Sequence, residues 1–164
     1  IQKEKSMTFK LSNRSLGKLE GVYPDLVATV KRAIEITEVD FGVTAGVRDI
    51  ETQRKLLAQG RSQTMKSRHL IQDDGYSWAV DLLAYDVDGN VCWEHNMYWK
   101  IGDAMIKAAK EVGMKNLRWG SSWHIKDVCK PNMTCEQMMD EYIDIRKAEG
   151  RKYFLDSPHW EKYE

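Results

Sequence analysis

Seven apolar residues and a single carboxylate make up Trp78–Tyr85, WAVDLLAY. A run this apolar and β-prone belongs to a sheet, and few sheets accept a carboxylate there without a reason. A lone buried carboxylate is costly unless it is paired or bound to a metal. On a strand, Asp81 shares a face with Ala79 and Leu83. It therefore faces solvent, pairs with an arginine, or binds a cation. Asp88-Gly89 and then Val91–Trp93 complete a hairpin with this strand.

The elements around that hairpin alternate without βαβ regularity. Pro24 opens a helix in which Leu26, Val27, Val30, Ala33 and Ile34 repeat at helical spacing. Phe41–Thr44 reads as a short strand leading into Gly46. Asp49 caps the next helix, which stops before Gly60. Residues 61–77 are polar and read as a loop. Trp99–Val112 is a helix with Gly113 as its stop. Leu117–Trp119 is a strand, Thr134 and Gln137 form a capping box for a helix to about Ala148, and the segment around His159 and Trp160 is a final strand. This pattern predicts an α+β fold with a small antiparallel sheet flanked by helices.

The 164 residues include 25 basic and 25 acidic side chains, so net charge gives no electrostatic footing for nucleic acid or an anionic membrane. No apolar run is long enough to span a bilayer, and the start lacks the apolar core of a secretory signal. Synthesis and folding in a cytosol are expected, with any action outside awaiting release by another agent. Cys92, Cys129 and Cys135 are too few, and odd in number, for a disulfide framework. Residues 1–6, IQKEKS, precede a start at Met7 and read as a leader or cloning remnant. Residues 7–164 contain no repeat or linker and read as one domain.

Of the four histidines, two stand in unusual company: Ser67-Arg68-His69 before the Asp81 strand, and Asp156-Ser157-Pro158-His159-Trp160-Glu161 near the end. Three residues apart, Asp156 and His159 would face opposite ways on a regular strand. Pro158 disfavours a regular strand, so a bend before His159 can bring both side chains to one point. One can then ligate zinc while the other acts as a base. A zinc hydrolase needs about three protein ligands, an open position and a nearby carboxylate. Glu161 is a rival base, since on a strand it faces the same way as His159.

Ser67-x-His69, Ala79-x-Asp81 and Asp156-x-x-His159 together resemble the zinc D-Ala-D-Ala carboxypeptidase and phage L-alanyl-D-glutamate endopeptidase family, whose pattern is S-x-H-x-x-G-x-A-x-D followed by E/D-x-x-H. Met7-Thr-Phe-Lys, Gly46-Val-Arg48 and Leu117-Arg-Trp-Gly-Ser-Ser-Trp123 are similar to the phage endolysin branch. The resemblance implies a hedgehog/D,D-peptidase-like fold and one zinc ion held by His69, Asp81 and His159. It implies Asp156 as catalytic base, Arg48 as the group facing the developing oxyanion, and Ser67 as a residue orienting the ligand loop. It also implies peptidoglycan as substrate, cut between L-Ala and D-Glu during host lysis. Two departures stand out. Eleven residues separate His69 from Asp81 where the family has six, with Ser77 at the family's glycine position and Asp73 and Asp74 as rival ligands. A long segment, about 124–154, precedes the last motif and is expected to add a helix near the substrate groove.

Trp119, Trp123 and Trp160 are candidates for lining that groove, although core positions suit them equally. A second zinc site from Cys92, His95, His124, Cys129 and Cys135 fits no finger spacing. Two alternatives stay open. One is a D-Ala-D-Ala carboxypeptidase on the same fold, which would need a cationic pocket for a free carboxylate. Few arginines lie near the motifs, which favours the endopeptidase. The other is a zinc-bound cell-wall recognition module without hydrolysis. A monomer acting on the wall, with no membrane insertion and no nucleic-acid partner, is the expected working form.

Overall fold

A computed structural model describes residues 8–164; the leader assigned to residues 1–6, and Met7, lie outside the described residues. The elements run α1 (Asn13–Lys18), α2 (Pro24–Ile36), β1 (Phe41–Ala45), α3 (Ile50–Ala58), β2 (Ala79–Tyr85), β3 (Val91–Cys92), α4 (His95–Val112), β4 (Leu117–Trp119), α5 (Cys135–Ala148) and β5 (His159–Lys162). The strands form one antiparallel sheet in the order β1-β2-β5-β4. The short strand β3 pairs with the far end of β2 as a hairpin. This is the expected α+β arrangement. No helix among the described residues is long and apolar enough to cross a membrane.

Strand β2 explains the layering. Val80, Leu82 and Ala84 are fully buried on one face, while Asp81, Leu83 and Tyr85 lie half-buried on the other. The first face joins a hydrophobic cluster drawn from α2, β1, β2, α4, β4, α5 and β5. The second is left for chemistry. Strand β5 alternates in the same sense: Trp160 enters the core, and His159 and Glu161 share the opposite face.

Local signals set the helix ends as expected. Asp49 accepts from the Thr52 N–H at 2.7 Å, Thr134 and Gln137 close a capping box, and Gly113 takes a left-handed turn at φ 85°. Two elements differ from expectation. Helix α4 starts four residues early, at His95, because buried Tyr98 ties its first turn to the hairpin. The Tyr98 hydroxyl donates to the Cys92 carbonyl at 2.9 Å and accepts from the Ala84 N–H at 3.2 Å. Helix α1 was not expected at all. It is six residues long and buries only Ser15, too little for a periodic pattern. The Ser15 hydroxyl accepts from the Val43 N–H at 2.9 Å and fixes α1 to β1.

Candidate metal centre

The sheet brings two of the polar residues together by register alone. Asp81 on β2 and His159 on β5 are directly paired residues, so their side chains leave the sheet side by side. The third, His69, comes from the 61–77 loop. The residues between His69 and Asp81 do not separate them, because the insertion folds out as a tight turn. The Gly75 N–H donates to the Gln72 carbonyl at 2.9 Å, the Gln72 N–H donates to the Tyr76 carbonyl at 2.8 Å, and Gly75 sits at φ 87°. Ile71 and Ser77 then bridge, and the chain re-enters at β2. As a result His69 Nε2 and His159 Nδ1 lie 3.3 and 3.2 Å from the same oxygen, Asp81 Oδ1.

The outer nitrogen of each ring is already occupied. His69 Nδ1–H donates to the Gly46 carbonyl at 2.8 Å, and His159 Nε2–H donates to Glu161 Oε1 at 2.7 Å. A carbonyl can only accept, so this bond leaves the lone pair of His69 on Nε2, toward Asp81. This is how ligating imidazoles are commonly oriented. The donor atoms of His69, Asp81 and His159 all lie within 4.8 Å of one another, and among the described residues this is the group that could hold a metal ion. Two imidazoles and one carboxylate with access from a cleft match a three-ligand catalytic site better than a closed structural one.

Electrostatics tie the cluster together. Burial pushes the Asp81 carboxyl up, but hydrogen bonds and charge from His159 and His69 outweigh it and hold it well below the usual carboxylate range. Burial disfavours charge on His159, yet Asp81 and Glu161 on either side raise its pKa to about 10. Without a cation, a protonated His159 thus does the neutralising.

Asp156 stands at the rim of the same site. Its N–H donates to the Gly120 carbonyl at 2.8 Å and its carbonyl accepts from the His159 N–H at 3.0 Å, which forms the bend that the Pro158 motif implies. A side chain on Gly120 would strike the Asp156 backbone. The turn is pinned further by Trp119 Nε1–H donating to the Ser157 carbonyl at 2.8 Å and by the buried Ser121–Ser157 hydroxyl pair at 2.7 Å. Burial pushes the Asp156 carboxyl above its ordinary range. Arg48 reaches the cluster with Nη2 3.9 Å from Asp81 Oδ2, and its Nη1–H donates to Gln53 Oε1 at 2.9 Å. Ser67 accepts the His69 N–H at 3.1 Å.

A family model for the phage L-alanyl-D-glutamate peptidase matches residues 7–162. The chain belongs to that family. The L-alanyl-D-glutamate peptidase of Escherichia phage T5 is 31% identical over 122 residues, which are 72% of this chain and 84% of the relative. The crystal structure of the Serratia marcescens L-Ala D-Glu endopeptidase ChiX superposes with a TM-score of 0.63 at 30% identity, covering 92% of this chain and 86% of that one.

Trp119 and Trp160 do not line the cleft. They are paired across β4 and β5 and stack at 5.7 Å inside the core, because strand alternation turns them away from His159. Only Trp123 of the three tryptophans reaches the cleft, stacked on Phe154 with Arg118 over its ring. Asp73 and Asp74 lie outside the cluster; Asp74 accepts from Trp78 Nε1–H at 2.9 Å. Glu161 is engaged by His159 and lies 4.0 Å from Arg118. His124 pairs with Glu141 at 2.8 Å, and Cys135 is buried against Gly102. The 124–154 segment supplies α5, from which Tyr142 and Arg146 face the cleft. The expectation that few arginines gather near the motifs is corrected: Arg48, Arg61, Arg68, Arg118 and Arg146, far apart in sequence, converge on one cleft of about 770 Å³.

Gln53 is a residue that sequence patterning misses. It is fully buried, accepts from Arg48, and donates to the Ser62 hydroxyl at 2.7 Å and to the Thr64 carbonyl. Nothing in its context sets it apart from an ordinary helical glutamine. Its signal is spatial, a buried amide whose partners all lie on the cleft wall.

Proposed function

We propose that this chain is a zinc-dependent peptidase that hydrolyses the peptidoglycan stem peptide between L-Ala and D-Glu. The observation that carries the proposal is the meeting of His69, Asp81 and His159 with Asp156 at one cleft, in a chain matched by the family over nearly its whole length. His69 Nε2, a carboxylate oxygen of Asp81 and His159 Nδ1 would hold the metal. Zinc suits two imidazoles and one carboxylate, and when bound it supplies Lewis acidity that polarises the amide carbonyl and acidifies water.

The other roles belong to the protein. Asp156, with its carboxyl raised by burial, takes the proton of the attacking water and delivers it to the departing amine nitrogen. Arg48, held in place by Gln53, faces the oxygen that gains charge. Glu161 orients His159 and is not the base, because its carboxylate is committed to the ring. Ser67 and the Gly46 carbonyl orient His69. Trp123 offers an aromatic wall beside the centre, 5.7 Å from the His159 ring.

The test is digestion of purified peptidoglycan with mass spectrometry of the new termini. C-terminal L-Ala and N-terminal D-Glu, absent with Asp156→Ala, are expected. Released D-Ala would instead make the chain a carboxypeptidase, a reading that the cationic cleft favours. Absence of any cleavage by zinc-loaded protein would leave a recognition module.

A further inference from the structure

The overall charge of the chain is zero, yet the main cleft is strongly basic on one side. Arg48, Arg61, Lys66, Arg68, Arg118 and Arg146 line it against the three carboxylates of Asp81, Asp156 and Glu161. Half of these cations are committed. Arg48 is held by Gln53, Arg68 by Gln72 and the Tyr163 carbonyl, and Arg118 by Glu161, the Trp123 carbonyl and two flanking rings. Arg61 and Lys66 have no side-chain hydrogen bond or ion pair among the described residues. Arg146 has only a 3.5 Å contact to the Lys152 carbonyl and the face of Tyr142. Three cations without a carboxylate partner around one concavity are free to receive an anion.

A second depression, about 390 Å³, meets the first at Asp81 and Asp156. Its walls include Leu83, Trp93, Tyr98, Leu155 and Pro158, and it contains no lysine or arginine. The cleft is thus basic on one side of the candidate centre, whereas the other side has no lysine or arginine and sets apolar walls beside Thr44, His95 and Ser157. An L-alanyl-D-glutamyl bond has the same asymmetry. The alanyl side presents a methyl group. A glutamyl residue has two carboxyl groups, and when one continues the chain the other stays free. Unless it is amidated, such a carboxylate lies on the amine side of the scissile bond.

We propose that Arg61, Lys66 and Arg146 form a carboxylate subsite that takes the free carboxylate of the glutamyl residue, with the alanyl side directed to the Trp93–Tyr98 depression. This inference rests on the stem-peptide hydrolysis proposed above and adds the direction in which the substrate lies. It also accounts for a cationic cleft in an enzyme that cuts internally.

The experiment compares two acylated L-Ala-γ-D-Glu-L-Lys peptides, one with the free D-Glu carboxylate and one with that group as a carboxamide. For the wild-type zinc-loaded protein, kcat/KM is expected to favour the carboxylate by about tenfold or more, the factor of one charge-assisted hydrogen bond. Arg61→Gln, Lys66→Gln and Arg146→Gln should each move that ratio toward one, and Arg61→Lys should retain part of it. Thermal melts of the same samples separate misfolding from lost recognition, and the exposed positions of Arg61 and Lys66 make those two variants the decisive pair. Equal rates on both peptides, or variants that slow both in proportion, would overturn the subsite while leaving the hydrolase standing. Cleavage of neither peptide would overturn the hydrolase and the subsite with it.

Discussion

The candidate centre has a strand-borne half and a loop-borne half, and they are built differently. Asp81, His159 and Glu161 project from paired residues of β2 and β5, whose other faces are Val80, Leu82 and Trp160 in the core. Their mutual placement follows from register. Arg48, Ser67, His69, Arg61 and Lys66 come from the segments around β1 and α3 and from the 61–77 loop. Their placement depends on individual hydrogen bonds, such as Arg48 N–H to the His69 carbonyl at 2.9 Å and Gln53 to Ser62 and Thr64. The candidate metal ligands are thus placed mainly by the sheet, whereas the wall proposed to recognise substrate is held up by side chains.

The largest effect should come from the strand half. Asp81→Ala or His159→Ala should remove metal binding and lower activity by about a thousandfold or more. Retained metal in a competition with chelator would break the division between halves. Gly120→Ala comes next. Its new methyl group would push on the Asp156 backbone and meet the His159 Cβ, so kcat should fall roughly a hundredfold and metal affinity should weaken with it, less than in Asp81→Ala. Glu161→Ala should weaken metal affinity by about 10–100-fold by freeing the His159 ring. A normal affinity would show that the strands alone orient His159.

On the loop side, Gln53→Ala should cost about 1–3 kcal/mol of stability by removing a buried amide and the hydrogen bonds it makes to Arg48, Ser62 and Thr64, and should lower kcat/KM with metal content intact. Chemical denaturation and metal analysis on one preparation would check both. Loss of metal instead would mean that the two halves are coupled more tightly than their construction indicates.

The pH dependence of the metal-free protein gives the smallest effect. The depressed Asp81 contributes stability that is present above its ordinary pKa of 3.8 and is lost as pH falls. The raised His159 contributes stability that is complete below 6.5 and is lost as pH rises toward 10. The metal-free melting temperature should therefore be highest between these limits and decline by a few degrees between pH 7 and 10. Metal binding must displace the His159 Nδ1 proton, so the alkaline decline should vanish in the loaded protein. An identical decline in both forms would count against His159 as a ligand.

Legibility followed the same division. WAVDLLAY announced β2 and its odd carboxylate, the Asp49 and Thr134 caps marked their helices, and alternation placed Glu161 beside His159. Periodicity could also say which way Trp160 points, but not that Trp119 would be stacked on it, since that depends on which strands pair. The basic cleft was invisible because its arginines lie up to 98 positions apart, from Arg48 to Arg146, and only the fold gathers them. Gln53, Gly120 and Ser121 act through contacts with segments outside their own elements, which no local pattern encodes.

The most direct test is metal content against turnover, measured by elemental analysis and stem-peptide hydrolysis on the same samples. Wild type should carry one zinc per chain and lose both metal and activity to chelator, with both restored by zinc. His69→Ala, the loop-borne ligand, should bind less than a tenth of that zinc and stay inactive. Full activity in metal-free wild type, or full zinc retention by His69→Ala and Asp81→Ala, would contradict a catalytic centre built from His69, Asp81 and His159.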